Sequence, residues 1–205
     1  MNYFTHILLG YAMAFVGVLP PGMLNMTAMK TAISVNKRAG LLYALGAALM
    51  VVPQSFIALY FARFFSRHPE IIENLSIAGV VVLFSLGFFF LWQAGLKSTR
   101  EGKIRRGNYL LIGAVMSSLN MLAIPYYLVY SAVLETKGLL LLEKWHIVFF
   151  VVGAFLGALS IFVLYVLLSG VLMSRVRFIA KNINYILGFL FLSLGILLLI
   201  DLLNK

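Results

Sequence analysis

The sequence predicts an all-α integral membrane protein: six transmembrane helices arranged as two inverted three-helix repeats, with the first helix broken at Pro20-Pro21-Gly22. Three observations predict it. Of the 205 residues, 63% are hydrophobic and only 11% charged, with a mean hydropathy of +1.04, against an apolar share of roughly 45–50% in soluble domains. Six apolar runs of about the 20 residues that a bilayer requires fall at 4–29, 40–62, 75–96, 109–134, 147–173 and 183–203. Finally, Leu24-Asn25-Met26-Thr27-Ala28 in the first run is echoed by Leu119-Asn120-Met121-Leu122-Ala123 in the fourth. Because three is odd, a second set of three spans must cross the membrane in the opposite sense to the first, which is the plan of many secondary transporters.

The repeats are read as 1–96 and 109–205, joined by a basic linker at 97–108, within a single membrane domain. The first run has no basic region before it and no convincing cleavage site after it, so it is expected to be retained rather than removed as a signal peptide. Its break follows from covalent structure. Two prolines remove two backbone donors, Gly22 adds freedom, and every carbonyl so released inside hydrocarbon must find a partner. The second run carries Pro53 followed by Gln54, and the fourth carries Pro125 just after the echo. The small residues Gly40, Ala44, Ala47 and Ala48, the pair Gly153 and Gly157, and the pair Gly188 and Gly195 are helix-packing signals.

The net charge of +10 comes from basic clusters between the runs, which orient a membrane protein and do not call for nucleic acid. The first, third and fifth connections hold 3, 5 and 3 Lys or Arg, and the opposite side holds 5. The richer side is cytoplasmic by the positive-inside rule, so both termini are expected outside the cytoplasm.

Chemistry has few places to reside. No cysteine is present, which excludes disulfides, thiolate metal sites and cysteine nucleophiles. No carboxylate lies mid-span to relay a proton, and no nucleophile, base and acid fall together, so no enzyme and no cofactor are expected. The histidines His6, His68 and His146 lie near the outer span ends without helical spacing and read as interfacial. What remains is a set of intramembrane amides, costly unless paired. Asn25 and Asn120, related by the echo and both beside broken backbone, are expected with Pro20, Pro21, Gly22 and Pro125 at a midplane site. Gln54 and Tyr126 are expected at its wall, where either could equally be a packing group.

With those residues in place, the chain resembles the lysine exporter (LysE/RhtB) superfamily of six-helix amino-acid exporters. There a Pro-Gly-Pro element ends the first hydrophobic stretch, an Arg-Ala-Gly opens the second and an Asn-Pro-Lys lies in the fourth. Here the corresponding residues are Pro20-Pro21-Gly22, Arg38-Ala39-Gly40 followed by Ala44, Leu45 and Gly46, and Asn120-Met121-Leu122. The family's Gly-Asp pair in the second span is replaced by Met50 and Val51, and its Pro-Lys after the fourth-span Asn is replaced as well. The resemblance implies an exporter of an amino acid or similar small metabolite in the cytoplasmic (inner) membrane. Its partners are a small-molecule substrate and the bilayer, with the coupling ion and a homo-oligomeric state left open. A non-transporting membrane scaffold or assembly protein and a cation exporter are the alternatives.

Overall fold

Proline and glycine divide the apolar runs into shorter helices than the runs themselves. The computed structural model describes residues 2–95, 107–120 and 122–203, and those residues form α1 (Tyr3–Val18), α2 (Met23–Ser34), α3 (Lys37–Leu49), α4 (Val51–Arg67), α5 (Pro69–Gly95), α6 (Tyr109–Ser118), α7 (Ala123–Thr136), α8 (Lys144–Leu167) and α9 (Ser169–Leu203). No strand occurs among them. The third connection, with its basic cluster, lies almost wholly outside the described residues, as does Met121 of the echo.

α1 stops where Pro20 and Pro21 withdraw their N–H groups, with Leu19 still helical at φ −57° and ψ −43°. Gly22 then starts α2 from an extended conformation, and the two helices meet at 78°. α3 begins at Asn36, whose side chain accepts from the Ala39 N–H at 2.8 Å, an N-cap. Only a turn at Met50 separates α3 from α4. Pro53, in the first turn of α4, cannot bond back to the preceding turn, and the two helices together run 31 residues. α6 is capped by Asn108 in the same way as α3. It bends by 62° into α7, which carries Pro125 in its first turn.

Among the described residues two helices are long and apolar enough to cross a membrane, Lys37–Arg67 and Lys144–Leu167, and each bent pair α1–α2 and α6–α7 makes a further candidate. α5 and α9 contain the shorter apolar segments Leu83–Trp92 and Asn184–Ile200. The expected fifth loop is helix instead. α8 ends at a single turn at Leu168 and α9 carries Arg175, Arg177 and Lys181 within it, because no glycine or proline follows Gly170 until Gly188.

The core is built from close backbone approaches at glycine, and two of these repeat residue for residue. A Cβ placed on Gly10 of α1 would lie 2.0 Å from the Phe150 carbonyl oxygen and 3.0 Å from the Ala154 nitrogen of α8. One placed on Gly113 of α6 would lie 2.1 Å from the Tyr43 oxygen and 3.0 Å from the Ala47 nitrogen of α3. The reciprocal contacts match too, with Gly153 at 2.0 Å from the Ile7 oxygen and Gly46 at 1.9 Å from the Leu110 oxygen. These contacts of α1 with α8 thus match those of α6 with α3, at a constant offset of 103 residues from α1 to α6 and 107 from α3 to α8. Around these seams Ala14, Tyr43, Ala44, Ala47, Phe150 and Ala154 are fully buried. α5 and α9 pack through Gly87 and Gly188 against leucine side chains.

Candidate functional site

Each helix break releases carbonyls, and buried side chains meet them. At the first, the Asn25 amide, two residues into α2, reaches back to donate to the Val18 oxygen at 2.8 Å and the Pro20 oxygen at 3.0 Å. The Tyr165 hydroxyl of α8 donates to the Leu19 oxygen at 2.7 Å. Three consecutive orphaned acceptors, on Val18, Leu19 and Pro20, are therefore covered. At the second, Gln54 of α4 donates its amide to the Ser117 oxygen at 2.8 Å, in the last turn of α6. Ser117 also accepts from the Asn120 N–H, which closes a tight final turn.

Tyr126 links the two breaks. It stands at the start of α7, just past the second, and its hydroxyl donates to the Met13 oxygen of α1 at 2.8 Å while its ring covers Gly17, just before the first. A Cβ on Gly17 would fall 2.7 Å from that ring, so a larger residue there would make the Tyr126 side chain give way. The Tyr130 ring lies tilted against Tyr126, centroids 4.8 Å apart, but is half exposed.

The residues singled out from sequence are thus only partly brought together. Pro20, Pro21, Gly22, Asn25 and Tyr126 gather at the first break, and Gln54 joins the second, near Asn120 and Pro125. Asn25 and Asn120 do not occupy equivalent places. Asn25 lies inside the outgoing helix and is 3% exposed, whereas Asn120 lies in the connection itself, exposed. The glycine register of 103 residues pairs Asn120 with Gly17, so the sequence echo, at an offset of 95, is out of step with the packing. Tyr165 was not singled out, although a lone hydroxyl in the apolar run Ile161-Phe162-Val163-Leu164-Tyr165 has to find an acceptor.

Among the described residues, two buried side-chain oxygens have no hydrogen-bond partner: Asn25 Oδ1 and Gln54 Oε1, one at each break. Such atoms are costly unless something donates to them. Nearby, the first N–H groups of α2 and α7 have no side-chain cap and present the positive end of a helix dipole. At the first break, Asn25 Oδ1 and the uncapped N–H groups of α2 thus fall within one helical turn. No group of three or more metal-ligating side chains is found among the described residues.

Apolar helices bent inside their own length, with released carbonyls met by buried amides and phenols, define an integral membrane protein whose interior holds polar groups. The chain belongs to the LysE type translocator family, which it matches over residues 15–202, a stretch that takes in both breaks. That family consists of transporters rather than enzymes, and the chain is accordingly a membrane translocator of small molecules. No curated protein and no solved structure shows a significant match.

Proposed function

We propose that this translocator exports an amino acid or similar small metabolite across the cytoplasmic membrane by alternating access. Its two halves, 1–96 and 109–205, act as inverted three-helix repeats joined by the cytoplasmic linker 97–108, with both termini outside. The matched glycine contacts of α1 with α8 and of α6 with α3 support the repeat, since rocking needs two equivalent hinged units.

Pro20, Pro21 and Gly22 with Asn25, and Gln54 with Asn120, Pro125 and Tyr126, form the substrate site. The observation that carries this reading is the pair of unpartnered oxygens, Asn25 Oδ1 and Gln54 Oε1. A substrate ammonium supplies the donors they lack, and the uncapped start of α2 receives the carboxylate.

Counterflow of radiolabelled amino acids into proteoliposomes tests the site. Asn25→Leu and Gln54→Leu proteins that fold are expected to lose at least about tenfold in exchange rate, the worth of one good hydrogen bond to a charged group. Unchanged exchange in both would refute the site, and no exchange of any amino acid would refute the substrate class. A second reading has its own observation: the Asn25 amide is already engaged by Val18 and Pro20, as in a scaffold whose break is only a packing device. Under it both variants lose thermal stability and no solute moves.

A further inference from the structure

The inner faces of α4 and α7 end in charge. Along α4 the row Ser55, Leu59, Arg63, Arg67 repeats every four residues, so its members share one side of the helix. Ser55 and Leu59 are fully buried, Arg63 is half-buried and Arg67 is exposed. Along α7 the row Tyr127, Ser131, Glu135 does the same, two buried residues leading to a half-buried carboxylate. The two helices pack on each other. Their rows open at one end into a cleft of about 250 Å³, lined by Arg63, Arg67, Glu135 and Glu143 and walled by leucines of the α7–α8 connection.

These charges stand where they weaken their own helices. Arg63 and Arg67 are like charges four residues apart. Glu135 lies in the last turn of α7, beside the negative end of the helix dipole. Direct pairing would relieve both, yet among the described residues neither guanidinium forms an ion pair with Glu135 or Glu143. The connection keeps them apart. It leaves α7 at Gly138, whose φ of +67° suits glycine, and it buries Leu140 and Leu142. Between them the Leu141 N–H donates to His6 Nε2 at 3.0 Å. His6 is fully buried against His146, ring centroids 4.5 Å apart, so the reading of the two as independent interfacial residues is corrected: together they anchor this wall. Glu143 Oε2 already faces His146 Nδ1 at 3.4 Å, which makes Glu135 the principal carboxylate of the cleft.

We propose that the cleft binds a small zwitterion, with its oxyanion held between Arg63 and Arg67 and its ammonium received by Glu135, Glu143 standing at the rim. Guanidinium groups match a carboxylate or phosphate in a planar fork, and a carboxylate accepts from an ammonium. A ligand carrying one of each sign relieves both helix ends at once. The volume is just under the roughly 300 Å³ at which pockets for drug-sized ligands begin, which suits a solute of amino-acid size. Ammonium and oxyanion are joined in a free amino acid and also in the headgroup of phosphatidylethanolamine. Arg63 lies nine residues along α4 from Gln54, about 14 Å at 1.5 Å per residue, so for an amino acid the cleft is a waypoint between the breaks and the outer surface. That role rests on the exporter reading and topology proposed above; the binding site itself does not.

No cysteine is present, so Leu141→Cys places a single thiol in the wall, on an exposed side chain whose backbone bond to His6 is untouched. Leu139→Cys, also exposed but outside the lining, is the reference. Each protein in phosphatidylcholine nanodiscs is labelled with a polar maleimide. L-Alanine is expected to slow labelling of Leu141→Cys and to leave Leu139→Cys unchanged, while propionate and ethylamine, each with one of its two charges, protect far less. Adding Arg63→Gln or Glu135→Gln should raise the alanine concentration for half-protection at least about threefold, the worth of a charged hydrogen bond discounted for partial exposure. Phosphatidylethanolamine nanodiscs without alanine test the lipid source, since the phosphatidylcholine ammonium has no N–H to donate. Slower labelling there, abolished by Glu135→Gln, would assign the site to the headgroup. Protection from neither source, equal protection by propionate or ethylamine, or protection unchanged in both charge variants overturns the proposal. Protection by alanine without counterflow of any amino acid would fail the exporter reading and leave the site standing. Counterflow unchanged in Glu135→Gln would remove the waypoint role.

Discussion

Replacing Gly10 or Gly113 by alanine adds one methyl group at a point where the opposing atom is backbone. The new carbon would lie 2.0 Å from the Phe150 oxygen in the first case and 2.1 Å from the Tyr43 oxygen in the second. Nonbonded carbon and oxygen need more than 3.0 Å, so each helix pair must part by about 1 Å, since no side chain can swing aside. Overpacking of this kind costs about 1–3 kcal/mol, and parting the seam also loosens the contacts of fully buried Ala14 and Ala154, or of Ala44 and Ala47. At about 2–4 °C per kcal/mol for a chain of this size, a fall in midpoint of about 2–12 °C is expected for each variant. The two falls should agree closely, because the two contacts correspond atom for atom. Differential scanning fluorimetry on the tryptophan emission of purified protein in detergent reads this directly. Gly22→Ala serves as the reference: a Cβ there meets nothing within 4 Å and the backbone is extended at φ −118°. That variant is expected to be neutral or more stable by about 0.4–1 kcal/mol, through the unfolded chain. Equal midpoints for Gly10→Ala, Gly113→Ala and Gly22→Ala would refute the reasoning, and a fall in only one of the first two would refute the equivalence of the seams.

Two further substitutions probe the polar devices of the fold. Tyr165→Phe removes the donor to the Leu19 oxygen and should cost about 1–3 kcal/mol, the penalty of a buried acceptor left bare; the same change at exposed Tyr60 should leave the melting midpoint unchanged. Asn36→Ala removes the cap of α3 and should cost about 1 kcal/mol, with Asn36→Asp retaining most of the stability by the same fluorimetric measurement.

The break after α1 was legible because its cause is local: Pro20 and Pro21 lack donors whatever surrounds them. The caps at Asn36 and Asn108 are equally local but were not singled out, and the expected fifth loop is helix. Gln54 could be recognised as a costly amide, but not that its partner is the Ser117 oxygen, 63 residues on and on another element. The echo around Asn25 and Asn120 misled in register. Four identities in an apolar, low-diversity sequence constrain little, whereas a carbonyl two ångströms from a Cβ position admits one alignment of two helices.

Composition, covalent geometry and charge distribution, then, determined by themselves that this chain is a helical membrane protein whose first and fourth runs are broken at proline. Which residues face one another was decided by the tertiary structure alone. In a soluble helix the buried face is marked by its apolar side chains, but here the outward faces are apolar as well, with Phe4, Phe88, Trp92 and Phe189 each more than 60% exposed. Nothing along the chain separates inside from outside under those conditions. The joining of His6 to His146, of Tyr126 to α1 and of Tyr165 to the first break follows from close backbone approach at glycine, which only the packed helices reveal.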